Sequence, residues 1–133
     1  MSTNLDLVRS IYADWERGDF SHVEWAHSEI EFVIQGGPSP GSWTGLAGMG
    51  EGWRDFLSAW EWYRVEVDDY RELDNGRVLV LDHERGRGKL SGLDIGDIKA
   101  EGASLFRIRC GKVTRLVIYW YRDRALADLG LEG

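Results

Sequence analysis

The feature that most constrains this chain is a change of hydrophobic period near its middle. Leu46, Met49, Trp53, Phe56, Leu57 and Trp60 recur at spacings of three and four, which stacks them on one side of a helix. From Arg64 onward the period falls to two: Val65 and Val67 alternate with Glu66 and Asp68, and Asp74-Asn75-Gly76 is a strong hairpin-turn signal. Further strands are predicted over residues 78–85, 98–109 and 113–121, with a turn at Cys110-Gly111. Before the long helix, Leu5, Val8, Tyr12 and Trp15 mark another helical face, stopped by Gly18. Asp19 is placed to cap a short second helix carrying Phe20, Val23 and Trp25. Ile30, Phe32 and Ile34 then alternate as a first strand, and residues 122–130 form a short helical tail. Helices and strands that run in separate blocks predict an α+β fold, with a curved antiparallel sheet wrapped on helices.

The length of 133 residues favours a single domain, residues 1–133, large enough to bury a core without metal or disulfide staples. Cys110 is the single cysteine, so an internal disulfide or thiolate zinc cluster is excluded. His22 and His27 are five apart rather than four, which argues against a metal pair, and neither metal nor cofactor is expected. The net charge of −7 disfavours nucleic acid, and the arginines of the second half, scattered over strands and turns, read as a solvated face. The segment GRGKLSG at residues 86–92 lies between strands and lacks phosphate-loop spacing, so it reads as a bulged hairpin end. The longest apolar run is too short for a bilayer and the start lacks a secretory pattern, so a cytoplasmic location is expected.

Alternation divides the sheet into two faces. In the strand over 98–109 the even positions, among them Ser104 and Phe106, are apolar or small and are assigned inward. Leu116, Ile118 and Trp120 of the last strand fit the same inner face. Together with Trp15, Phe32, Trp53, Phe56 and Trp60 they would wall an aromatic hollow suited to a small hydrophobic molecule. The opposite face holds Ala103, Leu105, Val117, Tyr119 and Tyr121, an apolar patch that needs a cover, and a homodimer through this face is expected. In the strand over 78–85, Asp82 and Glu84 end one set of alternating positions. That set is assigned outward, and His83 is assigned inward as a proton-transfer group. With the faces reversed, Asp82 becomes the inward group and the better base. Glu101 would join either only through a bulge at Gly102.

Several segments carry a family resemblance: IYADWERGDF at 11–20, AHSEIEF at 26–32, WTGLAGM at 43–49, RGRG at 85–88, SG at 91–92, and GKV at 111–113 before YRDR at 121–124. In this order and spacing they resemble the SnoaL-like, polyketide cyclase-like family of the nuclear-transport-factor-2-like superfamily, over nearly the whole chain. The resemblance implies a cone-shaped α+β barrel of the cystatin-like type enclosing a pocket, commonly dimeric. It also implies cofactor-independent cyclase, isomerase or hydratase chemistry, or binding alone. The ketosteroid isomerase pattern falls on Ile11, Phe32 and Ser104 here, and two of these are hydrocarbons that transfer no proton, so that reaction is not expected. His83 or Asp82 would move a proton and Ser104 would orient a substrate oxygen. The competing expectation is a non-catalytic ligand-binding or dimeric scaffold protein.

Overall fold

The computed structural model describes residues 3–37, 40–74, 76–88 and 97–131. The elements run α1 (Thr3–Glu16), β1 (Ala26–Gln35), β2 (Gly41–Thr44), α2 (Gly45–Ser58), β3 (Trp60–Asp74), β4 (Arg77–Gly88), β5 (Asp97–Arg109), β6 (Lys112–Tyr119) and α3 (Arg122–Asp128). The six strands make one curved sheet in the order β2-β1-β6-β5-β4-β3. The α+β class follows from the segregation of periods seen in the sequence. Most of GRGKLSG lies outside the described residues, as does Asn75 of the hairpin turn. Among the described residues no helix is long and apolar enough to cross a membrane.

Three local expectations are corrected. The segment after Gly18 is not a helix: Asp19 Oδ1 accepts from the Ser21 N–H at 3.0 Å and from the Ser21 hydroxyl at 2.6 Å. This side-chain turn competes with helix nucleation, which so short a segment cannot repay. A short strand, β2, pairs antiparallel with β1 through Phe32 and Trp43. The sheet is also not wholly antiparallel, because β1 and β6 run parallel, with Phe32 opposite Leu116 and Ile34 opposite Ile118. The β3–β6 meander brings its last strand back alongside β1, running in the same direction.

The inner face of the sheet is closed by α1 and α2. Val8, Ile11, Tyr12 and Trp15 of α1 and Met49, Trp53 and Phe56 of α2 join Ile30, Phe32, Val78, Val80, Phe106 and Leu116 in one core. Aromatic rings dominate it: Trp15 meets Trp53 edge-on at 5.1 Å, and Trp60 stacks on Trp120 at 5.7 Å. The outer face carries a second cluster, in which Ala125 and Leu126 of α3 cover Leu79, Leu81, Ala103, Val117 and Tyr119. Part of the apolar patch on which a homodimer is expected is thus covered by α3, while Leu105 is half-buried and Tyr121 is 61% exposed.

Gly86 on β4 lets the Trp60 ring lie flat on the sheet. A Cβ there would come within 2.5 Å of the Trp60 ring and 2.9 Å of the Trp62 carbonyl oxygen. The backbone carbonyl has little room to yield. Gly86→Ala is therefore expected to destabilise the fold by about 1–3 kcal/mol, measured as a shift in the urea midpoint with an unchanged slope.

Candidate functional site

On β4 the inward positions are Val78, Val80, Asp82, Glu84 and Gly86. Val78 and Val80 belong to the inner core, while Leu79 and Leu81 belong to the outer cluster under α3. The assignment of His83 inward is therefore corrected. Its ring lies on the outer face, with Nδ1 2.7 Å from Asp68 Oδ1 and Nε2 3.8 Å from Glu66. Asp82 and Glu84 take the inward positions and are 2% and 3% exposed. Glu101 also stays outward: its strand passes Gly102 in unbroken register, and its carboxylate lies 3.6 Å from Arg122.

Two carboxyls inside an aromatic core need donors, and two tyrosines supply them. The Tyr12 hydroxyl of α1 donates to Asp82 Oδ2 at 2.8 Å, and the Tyr63 hydroxyl of β3 donates to Glu84 Oε1 at 2.8 Å. Ser104, itself buried, hydrogen-bonds the Tyr12 hydroxyl. The second oxygen of each carboxyl, Asp82 Oδ1 and Glu84 Oε2, is buried without a partner, as is the Trp60 Nε1–H. Space beside Asp82 Oδ1 depends on its cross-strand neighbour Gly102, where a Cβ would stand 3.0 Å from that oxygen.

Burial controls the protonation of this pair. Desolvation pushes the Asp82 carboxyl up to about 7, against partial relief from the Tyr12 hydrogen bond and the Arg122 charge. Glu84 is pushed well above the usual carboxylate range, first by burial and then by the neighbouring Asp82 charge, with only Tyr63 opposing. Burial thus favours the protonated form of both carboxyls, and Asp82 is poised to gain or lose its proton near neutral pH. Burial raises Tyr12 and Tyr63 as well, so both phenols remain donors.

The outer side of the strand fixes the position of Asp82. Arg122, at the start of α3, donates to the Asp82 carbonyl at 2.7 Å, to the Gly102 carbonyl at 3.2 Å and to Asp68 Oδ2 at 2.6 Å. Burial alone would raise the Asp68 carboxyl, but the hydrogen bonds from Arg122 and His83 hold it below the ordinary value. Asp68 thus holds the guanidinium against the backbone that carries Asp82.

The aromatic residues named from the sequence do come together. Trp15, Phe32, Trp53, Phe56, Trp60, Phe106, Leu116, Ile118 and Trp120 are all buried in the inner core, and Ser104 sits beside Tyr12. Sequence reading left Tyr63 and Arg122 without a role and took Tyr12 only as part of a helical stripe. The available signal was the inward pair Val65 and Val67, because the register sets Val67 opposite Asp82 and Val65 opposite Glu84.

Comparison with known proteins agrees with this architecture. No curated protein sequence matches the chain. The fold is similar to that of TerC, co-crystallized with polyporic acid, at 20% identity over 96% of this chain and 98% of that one, with a TM-score of 0.75. It is similar to an NTF2-like protein of Burkholderia thailandensis at 18% identity over 100% of both chains, with a TM-score of 0.78. It is also similar to a candidate polyketide cyclase of Xanthomonas campestris pv. campestris, at 20% identity over 92% of this chain and 93% of that one, with a TM-score of 0.68. At such identities the likeness establishes a shared fold. The model of the SnoaL-like domain matches residues 8–116, from the first core valine of α1 to the inward leucine of β6, and the chain belongs to the SnoaL-like family.

Proposed function

We propose that this protein catalyses cofactor-independent proton transfer on a small hydrophobic, enolisable compound of the polyketide type, with Asp82 as base and Glu84 as acid. The observation that carries the reading is the carboxyl pair itself: two acids on one inner face, each held through one oxygen by a tyrosine and each with its other oxygen unpartnered. Asp82 Oδ1 takes a proton from carbon next to a carbonyl, and Glu84 Oε2 delivers one to the developing enolate oxygen. The two protons balance, so the pair can drive an isomerisation or an intramolecular ring closure without a cofactor. Poised near neutrality, Asp82 has the affinity a general base needs, and a neutral Glu84 can donate where an ionised one could not. The surrounding rings suit a flat apolar ligand, and the candidate polyketide cyclase among the structural neighbours is consistent with that class.

A second reading has its own support. Both carboxyls are almost wholly enclosed, and an enclosed aromatic interior also suits a protein that binds a lipophilic ligand without converting it. Exchange of solvent deuterium into the α-carbon of β-tetralone, an enolisable bicyclic ketone, separates the two. Catalysis predicts exchange in the wild type, a fall of about 10²–10⁴-fold in Asp82→Asn, and little change in His83→Ala, whose ring lies on the other face. Quenching of tryptophan fluorescence by the ketone with no exchange above buffer would select binding alone. The exchange rate should rise with pH as Asp82 ionises near 7.

The same pair sets the pH dependence of stability. In the unfolded chain Asp82 titrates near its ordinary value of 3.8, and in the folded protein near 7, so the native state holds the extra proton between these limits. Stability is then highest at the acidic end of this window and declines as pH rises through it, by an amount on the order of 4 kcal/mol for Asp82. Glu84, also raised, contributes with the same sign. Urea unfolding at stepped pH should show this decline in the wild type and a clearly shallower one in Asp82→Asn.

A further inference from the structure

The scattered arginines of the second half are gathered by strand register. Arg77 of β4 pairs directly with Arg107 of β5, and Arg107 pairs directly with Arg115 of β6. Directly paired residues share a face, and each of the three lies in line with outer-face residues of its own strand: Leu79, Leu105 and Val117. The row continues at both ends into acids. Asp74 of β3 pairs with Arg77, its Oδ2 2.8 Å from the Arg77 Nε, and Glu31 of β1 pairs with Arg115 at 3.7 Å. The outer arginines are thus compensated. Arg107, between two other cations, has no ion pair or side-chain hydrogen bond among the described residues and is exposed.

Like charges directly opposite each other weaken a sheet, and in a chain of net charge −7 neighbouring acids are plentiful. An uncompensated cation in the middle of such a row is therefore a local electrostatic deficit. It coincides with an open cleft of about 630 Å³ lined by Asp74, Gly76, Arg77, Arg107, Ile108, Arg109 and Thr114. Asp74 does not neutralise the cleft, because its carboxylate is engaged by Arg77 and by the Gly76 N–H at 3.0 Å. Arg109, two residues along and exposed, is likewise without an ion pair among the described residues, and its cross-strand neighbour is Lys112.

We propose that this cleft, on the face of the sheet opposite the carboxyl pair, is a binding site for a small dianionic oxyanion, a phosphate or phosphomonoester, centred on Arg107 with Arg77 and Arg109 at its sides. Planar guanidinium groups match the oxygens of such an ion, and two or three arginines converging on one anion is the arrangement that charge-assisted bonding favours. The site is independent of the proton-transfer reading, since its arginines lie on the outer face and none of them bonds Asp82 or Glu84.

The test uses the full chain at low ionic strength. Inorganic phosphate, measured by equilibrium dialysis with radiolabelled ion, should bind saturably. Phosphate should also raise the melting temperature more than sodium chloride of equal ionic strength. Arg107→Gln should weaken phosphate binding by about tenfold or more. In phosphate-free buffer the same variant should melt about 2 °C or more above the wild type, because the central repulsion is gone. Arg17→Gln, in the exposed turn just after α1, should leave binding unchanged. Competition by glycerol phosphate as effective as that by inorganic phosphate would assign the site to phosphomonoesters, and competition by phosphate alone would assign it to the free ion. Equal stabilisation by chloride and phosphate, or undiminished dialysis binding in both Arg107→Gln and Arg109→Gln, would overturn the proposal.

Discussion

The structure depends on the burial of two carboxyl groups side by side on β4. Successive inward residues of a strand lie roughly 7 Å apart, and in an aromatic interior two charges at that spacing could not both persist. The fold meets the constraint with donors from elsewhere in the chain. Tyr12 reaches Asp82 from α1, and Tyr63 reaches Glu84 from the facing strand. These bonds tie helix to sheet and β3 to β4 at the same place, so the polar centre of the molecule also locks its layers together. Each carboxyl keeps one oxygen unbonded by the protein.

The two acids are chemically distinct because their surroundings are not symmetric. Asp82 has Tyr12 in front and, behind, the Arg122 guanidinium bonded to its own carbonyl oxygen. Glu84 has Tyr63 alone and bears the charge of Asp82 in addition. Unequal support gives two similar carboxyls different surroundings, the asymmetry that the proposed acid–base roles require. The position of Arg122 matters here: it works on the strand from the outer face, so it stabilises an ionised Asp82 without occupying space in the interior.

The outer face follows a different rule along its length. Where α3 lies, it is apolar and covered; toward the β4–β5 and β5–β6 ends it becomes cationic. A sequence reading finds Val117, Tyr119, Ala103 and Leu105 on one face, and in the structure α3 packs on part of that face. Ala125 and Leu126 are too short a signal to be assigned to one partner over another. The arginine row is invisible for a related reason. Arg77, Arg107 and Arg115 are far apart in sequence and become neighbours only through exact strand pairing, which one slipped residue would undo.

Much of the fold was legible because period, rather than any motif, encodes it: both main helices, the meander and the inward aromatic set follow from spacing alone. The error at β4 has a specific physical origin. Both alternating sets on that strand begin apolar, Val78 and Val80 against Leu79 and Leu81, because both faces of the sheet are covered there. With hydrophobicity uninformative, the two acids decided the assignment, on the rule that charge faces water. Register outranks that rule. β3 bulges between Glu72 and Asp74 and again between Val67 and Asp69. Each bulge alone reverses the faces, and the two together restore them, so Val67 stands opposite Asp82 and Val65 opposite Glu84. Inward valines on one strand of a hairpin therefore bound the acids of the other to the interior, at the expense of desolvation. A sheet that keeps such a register carries its least favourable residues at the one place where helix, β3 and β4 are tied together.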